Sequence, residues 1–445
     1  MKEKVSRKTT VFEAYLAVIF MLTVICLGSV VFKMNVNIML VICIAFNMFM
    51  CWRCNVSFDA MIKAINDRIG SMGVFVLILM GIGFLIGSFM VAGTIPVLVA
   101  WLSQLVVPKY ALVSCLVLVS ILAFTIGSSF ASLGTLGIVM FSVATLQGMD
   151  PAIAAAACIC GANFGQYISP IADLPNLAAS VNKTSIYQFM KDLSLPMGIS
   201  FIISAVFYVV MGHGVASPDA LNSVNALVAN IYDHFNSNPL VILPIVVAIF
   251  LQGFPIAEVI NAAYDGFSTQ VMFPGVTLHP IIETLLNRGG IVSMAGTCLF
   301  LLMILACVAL LEVMGSFEVI KETAFKKAEN GGVLALVTTV FGMFFGLITC
   351  EPYSVIVVTS EVAREPYIKA GFEPRKVGII AMACAQLTGY LVPWSVLAMY
   401  CVSVLGVSAL AYAPYALLFT LMPIVILILS FLGIGNPKLA PEQKV

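Results

Sequence analysis

Long apolar runs recur along the whole of this 445-residue chain, and they constrain its fold more than any other feature. A helix of roughly 17 to 25 apolar residues matches the thickness of a bilayer. Only helices and closed barrels satisfy their own backbone hydrogen bonds in hydrocarbon. These runs are continuously apolar rather than alternating in polarity, which favours helices over a barrel. The runs are residues 11–32, 35–51, 72–92, 110–126, 195–212, 238–252, 291–314, 333–348 and 410–432.

We therefore predict an all-α, polytopic membrane protein with about 10 to 13 membrane helices. Only 9% of the residues are charged, against roughly 25% in soluble domains. The N-terminal MKEKVSRK carries four basic residues, and the apolar run after it is too long for a signal peptide. We expect an uncleaved first helix and a cytoplasmic N-terminus. The formal net charge of zero gives no indication of a nucleic-acid partner.

The sequence contains two similar units. Ser71 and Ser293 open similar apolar runs, and Pro170 and Pro393 follow these two serines at almost the same distance along the chain. Two such units, each with a Gly/Pro-interrupted segment, are typical of a secondary transporter whose site lies between inverted repeats. The predicted divisions are 1–55 (N-terminal helices), 56–213 (first repeat), 214–237 (polar linker), 238–432 (second repeat) and 433–445 (polar tail).

The segment ICGANFGQYISPIADLPNLAASV, residues 159–181, combines an apolar start with a polar, Gly/Pro-rich centre. Irregular backbone at membrane depth is tolerated only where it is buried in protein or lines a wet cavity. The pattern predicts a deliberately broken helix, with half-helix ends that suit ions. The predicted helix breaks are Gly161, Gly165 and Pro170, with Pro393 in the second unit.

Asp173 is the most informative residue of this segment. A carboxylate at the bilayer centre costs about 2.5 to 3.5 kcal/mol, so its presence favours a role in an ion or proton path. Oxygen-rich side chains are the ligands that hard cations prefer. We predict an ion-binding site formed by Asp173, Asn163, Ser169 and Asn176. The alternative is an interfacial loop in which Asp173 caps a helix.

The second unit supplies polar residues at the corresponding places but no carboxylate at its break. Glu351 interrupts an apolar run, at the position that matches Ser128 of the first unit. Ser128 and Ser129 fit either helix packing or substrate contact. The predicted substrate-binding residues are Ser128, Ser129, Glu351, Gln386, Trp394 and Ser395. Thr94 and Pro96 fit either a gate or an ordinary interhelical hairpin.

Five stretches of the chain occur in an order and spacing that is typical of a known family. They are GSFMVAGTIPVLV, IGSSFASLGTLGIVM, CGANFGQYISPIADLPNLAASV, LLNRGGIVSMAG and YLVPWSVLAMYCVSVLGVSALAYAPYALL. Together they resemble the NhaC-type sodium/proton antiporter family of the ion transporter superfamily, over roughly residues 70–430. The resemblance implies a bacterial inner-membrane secondary transporter that exchanges sodium for protons, or an organic acid or amino acid on the same scaffold.

This chain departs from the family pattern at several positions. Gln166 stands where family members typically have an aspartate, and Leu174-Pro175 replaces a threonine pair. A TGSQY-like segment reads TCEPY, which introduces Glu351. Ser169, Asp173 and Asn176 match the pattern, so cation coupling through Asp173 is expected, whereas the lost aspartate suggests a retuned site.

Our first hypothesis is a cation-coupled secondary transporter that exchanges sodium or a solute for protons. The second is a sodium- or proton-coupled carrier of an organic acid or amino acid. A channel or a receptor fits less well, because the carboxylates are asymmetric and the sequence offers no sizeable soluble domain. We expect no enzymatic activity, no cofactor and no metal beyond sodium as a coupling ion. The expected partners are the lipid bilayer, sodium, protons and a small organic solute, and homodimers are common among transporters of related architecture.

Overall fold

The computed structural model describes most of the chain, and its description omits parts of both termini and of the middle. The predicted linker 214–237 lies largely outside the described residues. The described residues are 9–28, 32, 34–213, 225, 228–229, 231–236, 252–273, 283, 286–287, 289–317, 319, 330–435 and 438.

The described chain is built from α-helices, as the apolar runs predict. Short 3₁₀ segments, Pro108–Tyr110 and Ala413–Tyr415, and the π-helical Leu133–Gly137 connect some of them. Up to residue 213 the helices are α1 (Val11–Cys26), α2 (Val36–Arg53), α3 (Phe58–Ser71), α4 (Gly73–Val91), α5 (Thr94–Leu105), α6 (Ala111–Ile126), α7 (Ser129–Ser132), α8 (Ile138–Leu146), α9 (Pro151–Ile168), α10 (Asp173–Val181) and α11 (Ile186–Gly212). They are followed by α12 (Ile256–Asp265), α13 (Thr269–Met272), α14 (Ile291–Val313), α15 (Gly331–Thr349), α16 (Pro352–Lys369), α17 (Arg375–Leu391), α18 (Val396–Leu405), α19 (Ala409–Tyr412) and α20 (Leu417–Phe431).

Six described helices are long and apolar enough to cross a membrane, and up to ten spans result if each bent helix pair counts as one. Two of these pairs matter for function. α9 and α10 meet at a bend of 47°, and α17 and α18 meet at a bend of 45°. The protein is thus an all-α, polytopic membrane protein with broken helices.

The helix ends fall at positions that the proposed duplication pairs. α6 ends at Gly127 and α15 ends at Cys350, its counterpart in the second unit, and both residues are left-handed. Ser128 and Glu351 then act as the N-caps of α7 and α16. A left-handed non-glycine residue such as Cys350 costs about 1–2 kcal/mol, which indicates that a sharp break is required there.

The two glycines of α9 do not break the helix, which corrects the sequence prediction for Gly161 and Gly165. Both lie inside the continuous helix Pro151–Ile168. A Cβ at Gly161 would meet the carbonyl of Leu116, and a Cβ at Gly165 would meet the carbonyl of Ser120. The glycines therefore let α9 pack closely on α6, as small residues do between membrane helices. The break itself lies at residues 169–172 and includes Pro170, which was predicted to break the helix. Pro393, the break predicted for the second unit, lies in the second break.

Candidate functional site

The loop between α9 and α10 is held by side chains that replace the missing helical hydrogen bonds. Ser169 donates from its hydroxyl to the Phe124 carbonyl at 2.8 Å. Asn176 donates from Nδ2 to the carbonyls of Pro170, at 2.8 Å, and Ala172, at 2.7 Å. Two residues predicted as ion ligands thus hold the loop open, which satisfies backbone groups that lipid would leave unpaired.

Asp173 begins α10 and receives hydrogen bonds at both carboxylate oxygens. Oδ1 accepts from Gln166 Nε2 at 3.0 Å and from the Leu174 amide at 2.8 Å. Oδ2 accepts from the Tyr353 hydroxyl of α16. Asp173 is nevertheless exposed, whereas Gln166 is buried. The site is therefore one accessible carboxylate contacted from both halves of the chain.

Glu351 is buried, and its carboxylate caps α16. Oε1 accepts from the Tyr353 amide at 2.7 Å, and Oε2 accepts from the Ser354 amide at 2.8 Å. On the other side of Ser354, the Arg68 guanidinium of α3 donates to the serine hydroxyl. Arg68 also lies 3.7 Å from Glu312. These contacts link Glu351 to a charged cluster at the ends of α3 and α14.

A pair of buried amides joins the two broken spans. Gln386 of α17 donates from Nε2 to Oδ1 of Asn163 in α9, and both residues are fully buried. Two polar atoms near this pair have no hydrogen-bond partner among the described residues: Gln386 Oε1 and Gln166 Oε1. An unsatisfied buried polar group costs about 1–3 kcal/mol. This cluster therefore has hydrogen-bonding capacity that the surrounding side chains leave unused.

The serines after Gly127 contact the second half of the chain. Ser128 caps α7 by accepting from the Ala131 amide at 3.3 Å. Ser129 is buried and accepts from the Tyr390 hydroxyl at 2.9 Å. Tyr390 and Tyr167 both interact electrostatically with Asp173. Ser129 thus belongs to the same polar region as the carboxylate, whereas Ser128 has a capping role.

The second break, residues 392–395, is closed by its own contacts. The Ser395 hydroxyl donates to the Gly389 carbonyl and accepts from the Ala398 amide at 3.1 Å. Trp394 donates from Nε1 to the Leu347 carbonyl at 3.5 Å. The Val396 amide donates to the Cys350 carbonyl at 3.1 Å, which joins the two breaks of the second half.

The structure brings together some of the predicted residues and separates others. Asp173 lies in one polar region with Asn163, Gln386 and Ser129. The Glu351 carboxylate instead accepts from the backbone amides of Tyr353 and Ser354. Thr94 and Pro96 are buried at the start of α5, after the left-handed Gly93. The twelve residues of α5 are about 18 Å long, less than a bilayer crossing. Their gating role stays a prediction.

Sequence reasoning missed Gln166 and Tyr353 as site residues. Gln166 was noted only as a departure from the family pattern, although its position seven residues before Asp173 allows contact across the break. Tyr353 corresponds to Phe130 of the first unit, and no chemical feature of TCEPY indicated that its hydroxyl reaches α10. Its contact depends on how α16 packs against α10.

A separate cavity of about 500 Å³ lies between the end of α12 and the start of α14. None of the residues around Asp173 lines it. Its polar lining consists of Asp265, Asn287, Ser293 and Ser403. Its volume falls within the range of small-molecule sites. Among the residues that the structure describes, no three His, Cys, Asp or Glu side chains gather as a metal centre.

The sequence is similar to several known proteins. The model of the "Na+/H+ antiporter family" matches residues 161–282 and 237–434, which together exceed half of the chain. An uncharacterized Na(+)/H(+) antiporter of Haemophilus influenzae is 29% identical, over 98% of both chains. The Na(+)/H(+) antiporter NhaC of Alkalihalophilus pseudofirmus is 26% identical, over 97% of this chain and 98% of its own. The malate-2H(+)/Na(+)-lactate antiporter of Bacillus subtilis is 27% identical, over 92% of both.

Proposed function

The chain belongs to the Na+/H+ antiporter family and is a cation-coupled antiporter, and from this premise we propose that Asp173 is the carboxylate at which sodium and protons exchange. The observation that carries the proposal is the position of Asp173. It is an exposed carboxylate at the break of a membrane helix, contacted by α9 of the first half and α16 of the second. Intramembrane carboxylates of this kind mark ion paths.

The exchange needs only one carboxylate that binds either ion. Sodium is held by the ionised Asp173 and by oxygens at the break, where helix ends and loop carbonyls favour cations. A proton occupies the same carboxylate after sodium has left. Because the two ions compete for one group, the binding of one requires the release of the other, which couples their gradients. Asn163, Ser129 and Gln386 line the buried side of this region.

A second candidate function is an organic-solute exchanger on the same scaffold. Two observations favour it: the unpartnered polar atoms around Asn163 and Gln386, and the cavity of about 500 Å³ near Asp265. Both offer hydrogen-bonding groups that a single sodium ion at Asp173 does not use. The relative named as a malate-2H(+)/Na(+)-lactate antiporter carries organic acids according to its name.

We place the protein in the inner membrane of a bacterium, with its N-terminus in the cytoplasm. The basic residues of MKEKVSRK support this orientation, since positive charge is retained on the cytoplasmic side. The similar antiporters of Haemophilus influenzae and Alkalihalophilus pseudofirmus come from bacteria, which supports the bacterial inner membrane as the location. A homodimer is compatible with this function and is tested by the mass of the purified protein in detergent.

The test uses purified protein in liposomes that contain a pH-sensitive dye. A sodium gradient is imposed, and the initial rate of internal pH change is recorded with and without malate, lactate or an amino acid. Asp173→Asn should abolish sodium-driven proton movement. The neutral amide cannot take up a proton near neutral pH, and it cannot balance the positive charge of sodium.

Asp150→Asn is the matched control. Asp150 caps α9 at its opposite end by accepting from the Ala152 amide at 2.7 Å, and asparagine is an equally good N-cap. This variant should exchange ions at the wild-type rate. Normal exchange by Asp173→Asn would contradict the proposal. Proton movement that requires an organic solute would favour the second candidate function.

A further inference from the structure

The orientation of the Gln166 amide follows from the chemistry of its partner. An ionised carboxylate can only accept hydrogen bonds, so Gln166 must present Nε2 to Asp173, as it does at 3.0 Å. Its Oε1 then has no partner among the described residues, although the side chain is 3% exposed. With Asp173 unloaded and ionised, the amide therefore satisfies the carboxylate but leaves its own oxygen unpaired.

Loading Asp173 allows its carboxyl group to use the amide oxygen of Gln166 in either of two ways. When a proton binds, the carboxyl group gains an O–H that can donate to Oε1 once the amide has turned. When sodium binds, the turned Oε1 is a neutral oxygen ligand beside the carboxylate. Both loaded states thus use Oε1, and in both the site carries no net charge from Asp173. The unloaded state alone carries an uncompensated negative charge.

Within the described part of the chain, Asp173 is the one exposed carboxylate at the first break. From α16, Glu351 is the nearest acid, and its oxygens are occupied by two backbone amides with Arg68 beyond Ser354. The Tyr353 hydroxyl donates to Asp173, and Tyr167 and Tyr390 lie within electrostatic range of it.

The other charges on the elements packed against α10 lie near its far end. There, Asn182 donates to Ser360 of α16, and Gly378 of α17 approaches Asn182. The nine residues of α10 place this end about 13 Å from Asp173. These charges are Lys191 and Asp192 of α11, Glu361, Arg364, Glu365 and Lys369 of α16, and Arg375 and Lys376 of α17. Asp150 lies at the opposite end of α9.

We propose that Gln166 sets the charge stoichiometry of the exchange: with a neutral amide beside a single carboxylate, one proton is exchanged for each sodium ion and no net charge crosses the membrane. This inference rests on the proposed function, in which Asp173 carries the exchange. The neutral Gln166 contributes a ligand to either ion without contributing a second proton. A carboxylate at position 166 would add that second proton and make the exchange electrogenic.

The test measures sodium-driven proton movement in liposomes under an imposed membrane potential. A potassium gradient with valinomycin sets the potential to either sign, and the initial rate and the number of protons per sodium ion are recorded. The wild-type rate should be the same at both potentials, with one proton exchanged per sodium ion. Gln166→Glu should exchange two protons per sodium ion, with a rate that rises several-fold at one potential and falls at the other.

Two further variants separate charge from side-chain shape. Gln166→Met keeps the length of the side chain without its polar atoms, so its rate should stay independent of the potential. Its half-saturating sodium concentration should rise several-fold, because the Oε1 ligand is lost. Gln270→Glu, at an exposed glutamine outside the site, should behave like the wild type.

The outcomes distinguish this inference from the proposed function. A wild-type rate that depends on the potential overturns the inference, even if Asp173→Asn is inactive and the proposed function stands. A Gln166→Glu variant that still exchanges one proton per sodium ion also overturns it. An active Asp173→Asn variant overturns the proposed function itself, and so does a wild type that moves no protons in response to sodium. Either of these two results overturns the inference as well, because the inference rests on the proposed function.

Discussion

Gly165 shows how a single residue can be constrained by a neighbouring helix rather than by its own backbone. It lies inside α9, where its lack of a side chain lets the backbone of α6 approach. A Cβ at this position would also lie 2.6 Å from the Cβ of Ala123 and 2.7 Å from the Phe124 amide. Phe124 is the residue whose carbonyl accepts from Ser169, so the α6–α9 contact helps to position the break before Asp173.

Gly165→Ala should therefore lower the thermal midpoint of the purified protein. Backbone atoms on two sides cannot give way, and overpacking of this kind costs about 1–3 kcal/mol. The midpoint is measured in detergent by the fluorescence of a thiol-reactive dye. Gly198→Ala is the control, because a Cβ at Gly198 of α11 meets no atom within 4 Å. Equal midpoints for both variants would contradict the close α6–α9 contact.

At the scale of elements, each helix break is stabilised by residues that replace lost backbone hydrogen bonds. Ser169 and Asn176 do this at the first break, and Ser395 does it at the second. Glu351 has the same role at the sharp end of α15, where it caps α16 and connects through Ser354 to Arg68. Side chains predicted from sequence as ligands therefore include several that hold the irregular backbone in place.

Glu351→Gln should destabilise the protein by about 0.5–2 kcal/mol, the cost of a lost N-cap. Glutamine keeps one acceptor oxygen and places an NH₂ group against a backbone donor. The thermal midpoint should fall, while the number of protons exchanged per sodium ion stays unchanged. Glu361→Gln, at an exposed position of the same helix, is the control. A changed proton count at an unchanged midpoint would show that Glu351 takes part in the exchange rather than only capping α16.

At the scale of the whole molecule, two contacts are those expected of broken spans that run in opposite directions. Asn163 and Gln386 occupy equivalent positions in the two units, and they contact each other. Contact between equivalent residues is the property of a two-fold axis. The end of α10 at Asn182 lies against the start of α17 at Gly378. This arrangement supports the prediction of inverted repeats.

Inverted repeats require equivalent loops to lie on opposite sides of the membrane. Ser185 and Ser408 are also equivalent in the two units, both are exposed, and each precedes the helix that follows a broken span. Ser185→Cys should react with a membrane-impermeant maleimide added from one side, and Ser408→Cys from the other. The cysteines whose side chains the structure describes are buried, so the background is low. Labelling of both variants from the same side would contradict the inversion.

The sequence by itself determined the fold class and indicated the carboxylate at which we propose the exchange. Continuous apolar runs favour membrane helices over a barrel, and the position of Asp173 among helix breakers in such a run predicts a role in an ion path. The correspondence of Gly127 with Cys350, and of Pro170 with Pro393, is also visible in the sequence as the constant spacing that a duplication predicts.

Only the tertiary structure decided what surrounds Asp173. Tyr353 is distant from Asp173 along the chain and reaches the carboxylate because α16 packs against α10. Whether Gly165 breaks a helix or lets two helices pack closely depends on the helix beside it, here α6. Gln166 has its role because the Asp173 carboxylate accepts from its amide. Local sequence encodes polarity and backbone preference, whereas the partner of each polar group is fixed by packing between distant segments.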